Sequence, residues 1–146
     1  MNKTERKAFE WLLRQGVPKS SIHYQKRKSP DFVLSDGRMI EVKRIVGNTI
    51  FFGRKQFEEL KRIADKVTVL AFRDESDEPI VIEMRDIEPG KIIDGIKIVV
   101  PTRKVSVILD DDLYMRILDY CTRNHIGKVS TAIRFLLVKG LEVMEK

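Results

Sequence analysis

Hydrophobic residues recur at two spacings along this chain, and those spacings predict the order of its elements. Apolar positions three or four residues apart predict helices over residues 3–15, 54–65 and 129–144, and another that ends near residue 124. Short apolar or alternating runs predict strands over residues 32–34, 39–42, 67–72, 79–84 and 104–109, with a small hairpin inside residues 92–100. The pattern changes after Pro101, so two modules are predicted, residues 1–101 and 102–146.

The most informative segment is a predicted hairpin over residues 30–43. Its turn lies at residues 35–37, a Ser-Asp-Gly cluster. In the second strand, the side-chain period of two places Glu41 and Lys43 on one face and the residue between them on the other. Asp31, on the first strand, can face them across the hairpin. Two carboxylates and an ammonium are therefore expected to converge on one spot.

This trio has the chemistry needed for metal-assisted hydrolysis of a phosphodiester. Mg²⁺ prefers oxygen ligands and usually takes only one or two carboxylates from the protein. A lysine beside the ion can orient a water and offset the charge that develops on a phosphate. The strand residues around the charges are apolar, so the acids border a core and need a partner or a metal. The alternative is a solvated hairpin with an ordinary cross-strand Glu–Lys pair.

Two helical side chains are expected to join this spot. Glu5 lies one turn before Ala8 on the apolar side of the first helix. Gln56 opens the second helix on the same face as Leu60 and Ile63. Each of the two can instead be a helix cap or a surface residue.

The ordered set of helix Glu, Pro-Asp, Glu-Val-Lys and helix Gln resembles the PD-(D/E)xK nuclease superfamily, in particular archaeal Holliday-junction resolvases and related archaeal endonucleases. The resemblance covers residues 1 to about 85 and implies a restriction-endonuclease-like α/β fold, with a mixed central sheet flanked by helices. The implied site has catalytic Glu5, Asp31, Glu41, Lys43 and Gln56, with the metal held by Asp31, Glu41 and the carbonyl of Val42. The lysine would position the attacking water. The serine- and glycine-rich loop that usually precedes Pro-Asp in those resolvases is replaced here by residues 26–29, so cleavage is implied but four-way junctions are not specified.

Composition narrows the class of protein without choosing a substrate. The 146 residues are 42% hydrophobic and 34% charged, and their net charge of +6 favours a polyanionic partner for a globular protein. The single cysteine, Cys121, excludes an intrachain disulfide and a zinc site of several thiolates. The sequence shows no signal peptide and no run long enough to span a membrane, so a cytoplasmic location is expected, or the host cytoplasm for a viral protein.

The second module is predicted to need a second copy of the chain. It carries one strand, an Asp-rich helix cap and two amphipathic helices joined at Gly127. One strand cannot form a sheet, and so short a segment cannot bury the apolar stripe of its last helix alone. Pairing in a homodimer would join two strands into an antiparallel ribbon and four helices into a shared core.

This order of strand, cap, turn and helix resembles the ribbon-helix-helix DNA-binding fold over about residues 103–145. The resemblance implies that the ribbon enters the major groove and that the amides opening the second helix bind phosphate. The implied DNA contacts are Lys104, Ser106 and Ile108 on the ribbon, and Val129, Ser130 and Thr131 at the helix. The alternative is a helical dimerisation module without DNA contact.

The two resemblances together predict a homodimeric, Mg²⁺-dependent endonuclease acting on double-stranded or branched DNA, with Mn²⁺ able to replace Mg²⁺. The basic run Lys26, Arg27 and Lys28 would face the DNA backbone, or would form a solvated loop instead. The alternative function is a non-enzymatic DNA-binding regulator that retains an inactive nuclease-like scaffold. An RNA-directed nuclease is a third possibility, which a ribbon suited to the major groove of DNA disfavours.

Overall fold

The computed structural model describes residues 1–145, which form two compact units that divide between Arg103 and Lys104. Each unit has its own buried core. The chain as a whole is mixed α/β, with mixed sheets and helices beside them. Among residues 1–145, no helix combines the length and the apolar character that crossing a membrane requires.

The first unit carries two α-helices and eight strands. They are α1 (Lys3–Arg14), β1 (Ile22–Tyr24), β2 (Phe32–Leu34), β3 (Met39–Arg44), β4 (Thr49–Phe51), α2 (Arg54–Arg62), β5 (Val67–Phe72), β6 (Ile80–Glu83), β7 (Ile92–Ile93) and β8 (Ile96–Val99). Short 3-10 turns lie at Lys19–Ser21, Ala64–Lys66 and Met84–Asp86. The helix predicted over residues 54–65 ends earlier, and a 3-10 turn takes the remainder.

Two mixed sheets form this unit. The central sheet has the order β1-β2-β3-β5-β6, in which β3 and β5 are parallel and the other neighbours are antiparallel. The second sheet has the order β4-β8-β7, with β4 parallel to β8. The hairpin predicted within residues 92–100 forms as β7 and β8, and β8 pairs with β4 in the second sheet and not with the central sheet.

The central sheet is buried on both faces, since alternate side chains of its middle strands enter different cores. One core lies under α1 and contains Ala8, Leu12, Phe32, Leu34, Ile40, Leu70 and Phe72. The other lies under α2 and the second sheet and includes Phe57, Leu60, Val67, Val69, Ala71, Ile50, Ile96 and Ile98. Strand β3 therefore has no solvated face along its middle, which is the usual state of a parallel pair in an α/β fold.

Helix α1 is fixed at both ends by local signals. The Asn2 side chain accepts a hydrogen bond from the Glu5 amide at 2.8 Å, and the Glu5 carboxylate accepts one from the Asn2 amide at 2.9 Å. This reciprocal pair is a capping box. The helix ends at Arg14, and Gly16 follows with a φ of 87°, a left-handed conformation that glycine adopts without strain.

The second unit contains α3 (Asp111–Arg123) and α4 (Val129–Met144), as predicted. The Asp110 side chain caps α3 by accepting a hydrogen bond from the Leu113 amide at 2.8 Å. Ile117, Cys121 and Ala132 form the small core between the helices. Cys121 is therefore a buried thiol of this core.

The strand predicted over residues 104–109 is absent from this unit, whereas the incomplete burial of the α4 stripe is as predicted for one copy of the chain. The segment 104–109 forms no strand, and Ile108 is 100% exposed, because a strand needs a hydrogen-bonded neighbour and this unit supplies none. The predicted stripe of α4 is only partly covered, since Leu137, Leu141 and Met144 are 62%, 58% and 82% exposed. Two helices can cover only one side of each other, so the remainder of the stripe faces outward.

Candidate active site

Asp31 is held beside the middle of β3 by the main chain. Strands β2 and β3 form the predicted hairpin, with Phe32 opposite Ile40. Asp31 comes immediately before β2 and does not lie within it, a small correction to its expected place. Its Oδ2 accepts a hydrogen bond from the Val42 amide at 2.7 Å. This bond fixes the carboxylate next to the Glu-Val-Lys segment.

Glu41 is the buried acid of the site, with 2% of its surface exposed. Its neighbours Ile40 and Val42 join the core under α1, so strand alternation sends Glu41 to the opposite face. Its Oε2 accepts a hydrogen bond from the Ser29 hydroxyl at 2.8 Å, and its Oε1 accepts one from the Gln56 side chain at 2.9 Å. Both oxygens are thus partnered, as a buried carboxylate requires.

Gln56 bridges the acid and the lysine. Its Oε1 accepts a hydrogen bond from Lys43 Nζ at 2.7 Å, while its Nε2 donates to Glu41. The opposite orientation of the amide would place its NH₂ group against an ammonium and its oxygen against a carboxylate. Lys43 Nζ lies 4.0 Å from Glu41 Oε1 and 4.4 Å from the centroid of the buried Phe52 ring. The ammonium is therefore held in one place from three sides.

Glu5 approaches from α1, on the other side of the sheet from Gln56. Its Oε2 accepts hydrogen bonds from the Asn2 amide and the Tyr24 hydroxyl, each at 2.9 Å. Glu5 and Val42 both line a cleft of about 490 Å³, which Asn2, Lys3, Thr4, Arg44 and Asp74 complete. Glu5 is consequently both a capping residue and a residue of the cleft that Val42 borders.

Burial gives the site unusual proton affinities. Burial raises the pKa of Asp31 to about 6, although the Val42 amide lowers it, and the nearby Glu5 charge raises it further. Burial and the Asp31 charge raise the pKa of Glu41 to about 7. Burial lowers the pKa of Lys43, against the opposing effect of both acids. Two acids that resist ionisation beside a desolvated lysine are typical of functional sites.

The acid pair suits a hard divalent cation. Asp31 and Glu41 supply two carboxylates, and the Val42 carbonyl is a further candidate oxygen on the same segment. Within residues 1–145, no three His, Cys, Asp or Glu side chains group closely enough to hold a metal by themselves. Mg²⁺ keeps several waters and commonly takes one or two carboxylates, so two acids match its needs. A cation here would also offset the charge that burial penalises.

The remaining predicted residues are exposed, apart from Val129. Lys26, Arg27 and Lys28 are exposed in the loop between β1 and β2, and the next residue of that loop, Ser29, donates a hydrogen bond to Glu41. In the second unit, Lys104, Ser106, Ile108, Ser130 and Thr131 are exposed and Val129 is half-buried. These residues belong to the second unit, whereas the acid–lysine arrangement belongs to the first.

Three residues of the site escape prediction from the sequence. Ser29 contacts Glu41, Phe52 contacts Lys43, and Tyr24 contacts Glu5. For Ser29, the sequence did offer a signal, because this residue directly precedes Pro30-Asp31. Tyr24 and Phe52 carry no local signal, because only the pairing of strands brings them to the acids.

Comparisons with known proteins add no family to this geometry. Searches of protein-family models, curated proteins and solved structures found no significant match to the chain. The function is therefore inferred from the acid pair, the lysine and their surroundings.

The raised pKa of Glu41 predicts that this acid destabilises the metal-free fold at alkaline pH. Its pKa is 4.5 in its ordinary state and about 7 in the fold, so the native state binds the proton more tightly and stability is lost as pH rises between these values. Replacing Glu41→Gln should remove this loss. In EDTA at about pH 8, the variant should exceed the parent protein in free energy of unfolding by on the order of 2 kcal/mol, and the difference should vanish near pH 4.

Urea denaturation at several pH values measures this effect. Glu10→Gln, at an exposed position of α1, is the matched control and should leave the pH dependence unchanged. If the Glu41→Gln variant is no more stable than the parent protein at alkaline pH, the raised pKa assigned to Glu41 is contradicted.

Proposed function

We propose that this chain is a metal-dependent endonuclease that hydrolyses phosphodiester bonds in DNA, with an active site of the PD-(D/E)xK type. The observation that carries the proposal is the acid pair Asp31 and Glu41 beside an ammonium, Lys43, that Gln56 and Phe52 hold in place. An ordinary surface ion pair explains neither the 2% exposure of Glu41 nor the partners on both its oxygens.

Each residue has a role in this reaction. Asp31, Glu41 and the Val42 carbonyl would hold Mg²⁺, which when bound polarises the phosphate and lowers the pKa of water. Lys43 Nζ would orient the attacking water and offset charge on the phosphate oxygens. Its depressed pKa makes proton transfer at Nζ easier than for a solvated lysine. Gln56 keeps Nζ beside the acids, and Glu5 assists from the cleft.

The second unit supports binding to DNA as a homodimer. Its exposed residues Leu137, Leu141 and Met144 offer a face that a second copy would cover. Helix α4 begins without a side-chain cap or an acidic first turn, whereas α3 has Asp110, Asp111 and Asp112 there. The first amides of α4 therefore suit phosphate contacts. In the proposed ribbon-helix-helix dimer, segment 104–109 would become a strand by pairing across the twofold axis.

One observation favours the second candidate, a DNA-binding regulator with an inactive scaffold. Ser29 and Gln56 already satisfy both oxygens of Glu41, and Gln56 satisfies Lys43. Because these side chains already have hydrogen-bond partners within the protein, the site needs no metal to satisfy them. A regulator would retain DNA binding without cleavage in Mg²⁺ or Mn²⁺.

Plasmid nicking distinguishes the two functions. With Mg²⁺ or Mn²⁺, the parent protein should cleave DNA, and Asp31→Asn and Lys43→Met should each lower the rate by about 100-fold or more. The matched controls are Asp36→Asn, an exposed acid in the turn of the same hairpin, and Lys55→Met, beside Gln56 on α2 with a 91% exposed side chain. Both controls should cleave normally.

Cleavage retained by both site variants would reject this active site. Specific DNA binding with no cleavage in either ion would favour the regulator. The same assay on linear duplex, single-stranded, nicked and four-way-junction DNA, at one fixed salt concentration, would define the preferred substrate.

The oligomeric state tests the role of the second unit. Leu137→Glu places a charge in the exposed apolar face of α4, so the dimer expected for the parent protein should become a monomer in light scattering. Glu142→Lys, at an exposed position on another side of the same helix, should remain dimeric. A monomeric parent protein, or a dimer unaffected by Leu137→Glu, would contradict the proposed interface.

A further inference from the structure

Tyr24 links helix α1 to the strand beside the acid pair. It ends β1 and is paired with Phe32, the residue that follows Asp31. Its ring packs against the fully buried ring of Phe32, with centroids 5.5 Å apart. Its hydroxyl donates a hydrogen bond to Glu5 Oε2 at 2.9 Å. The ring therefore belongs to the sheet, while the hydroxyl reaches the helix.

The two hydrogen bonds to Glu5 Oε2 differ in what they fix. The bond from the Asn2 amide lies within the capping box and holds the carboxylate only relative to its own helix. The bond from Tyr24 crosses from the sheet, so it holds the carboxylate relative to the hairpin that carries Asp31. Loss of the hydroxyl would leave α1 capped but would free Glu5 to turn away from the acid pair.

We infer that Tyr24 is a positioning residue, whose hydroxyl keeps the Glu5 carboxylate at the edge of the acid pair so that Glu5 can assist the divalent cation. This inference rests on the proposed metal-dependent function. The pKa shifts of these residues agree with the hydrogen bond between Tyr24 and Glu5 and with a position near Asp31. The Glu5 charge raises the pKa of Asp31, and the charges of Glu5 and Asp31 raise the pKa of Tyr24 after the larger effect of its hydrogen bond. The phenol thus stays a neutral donor.

A purely structural role for Tyr24 makes a different prediction. In that case the ring contact with Phe32 would be what matters, and the hydroxyl would add little. Tyr24→Phe keeps the ring and removes only the hydroxyl. The variant therefore separates the packing of the ring from the positioning effect of the hydroxyl by removing a single oxygen atom.

The experiment compares the full-length parent protein with Tyr24→Phe, Glu5→Gln and the double variant. Mn²⁺ binding is measured by calorimetry without DNA, and plasmid nicking is measured over a range of Mg²⁺ concentrations. Tyr24→Phe should weaken Mn²⁺ binding about 10-fold and raise the Mg²⁺ concentration for half-maximal nicking similarly, as expected for a residue that orients a metal-site group. The double variant should be no weaker than Glu5→Gln alone, because Tyr24 acts through Glu5.

The control is Tyr114→Phe, at a 41% exposed position of α3, which should bind Mn²⁺ like the parent protein. Unchanged Mn²⁺ binding in Tyr24→Phe would overturn the inference, and so would losses that add in the double variant. Thermal melting of each variant verifies that it is folded. Should Tyr24→Phe melt below the assay temperature, Glu5→Gln serves as the second variant, and Mn²⁺ binding equal to that of the parent protein would overturn the inference.

Failure of the inference and failure of the proposed function give different results. Normal DNA cleavage with no effect of Tyr24→Phe would reject the role of Tyr24 and leave the nuclease standing. Weakened Mn²⁺ binding in Tyr24→Phe, from a parent protein that never cleaves DNA, would support the positioning role and reject the nuclease.

Discussion

The burial of the Glu41 carboxylate is the constraint on which the site depends. A buried acid must be neutralised, hydrogen-bonded or paired with a cation, since its desolvation is otherwise costly. Here Ser29 and Gln56 satisfy its oxygens, and Lys43 lies 4.0 Å away. Gln56 can serve both charges because its amide presents an acceptor to the lysine and a donor to the acid. The same contacts that offset the cost of burying the Glu41 carboxylate therefore also fix the geometry of the site.

Strand β3 couples this site to the stability of the fold. Its residues Ile40 and Val42 pack under α1, while Met39 packs against the core under α2. Glu41 and Lys43 occupy positions on that second face that a purely structural strand would fill with apolar side chains. These two charged side chains beside the core lower the stability of the fold. Such a loss of stability in exchange for function is expected at active sites.

Local patterns were sufficient for the elements that depend on neighbours in sequence. The hairpin around residues 35–37, the capped start of α1 and the helix α4 follow from turn residues, a capping box and periodic apolar positions. The convergence of Asp31, Glu41, Lys43 and Gln56 was predictable because strand alternation and one helix face are enough to bring them together. Pairings between distant segments were not: β8 pairs with β4 and not with the central sheet, and Tyr24 meets Glu5 only through β1. Segment 104–109 lacks the strand predicted for it because no other strand lies within residues 104–145 to pair with it.

Crystals soaked with Mn²⁺ provide the most direct test of the central claim, that the acid pair Asp31 and Glu41 is a cation site. An anomalous difference map should show a peak beside Asp31 and Glu41, within coordination distance of the Val42 carbonyl oxygen. Such a peak would require Glu41 to exchange at least one of its internal hydrogen bonds for the metal. Saturating Mn²⁺ that leaves no peak there, with the Ser29 and Gln56 bonds intact, would contradict the account.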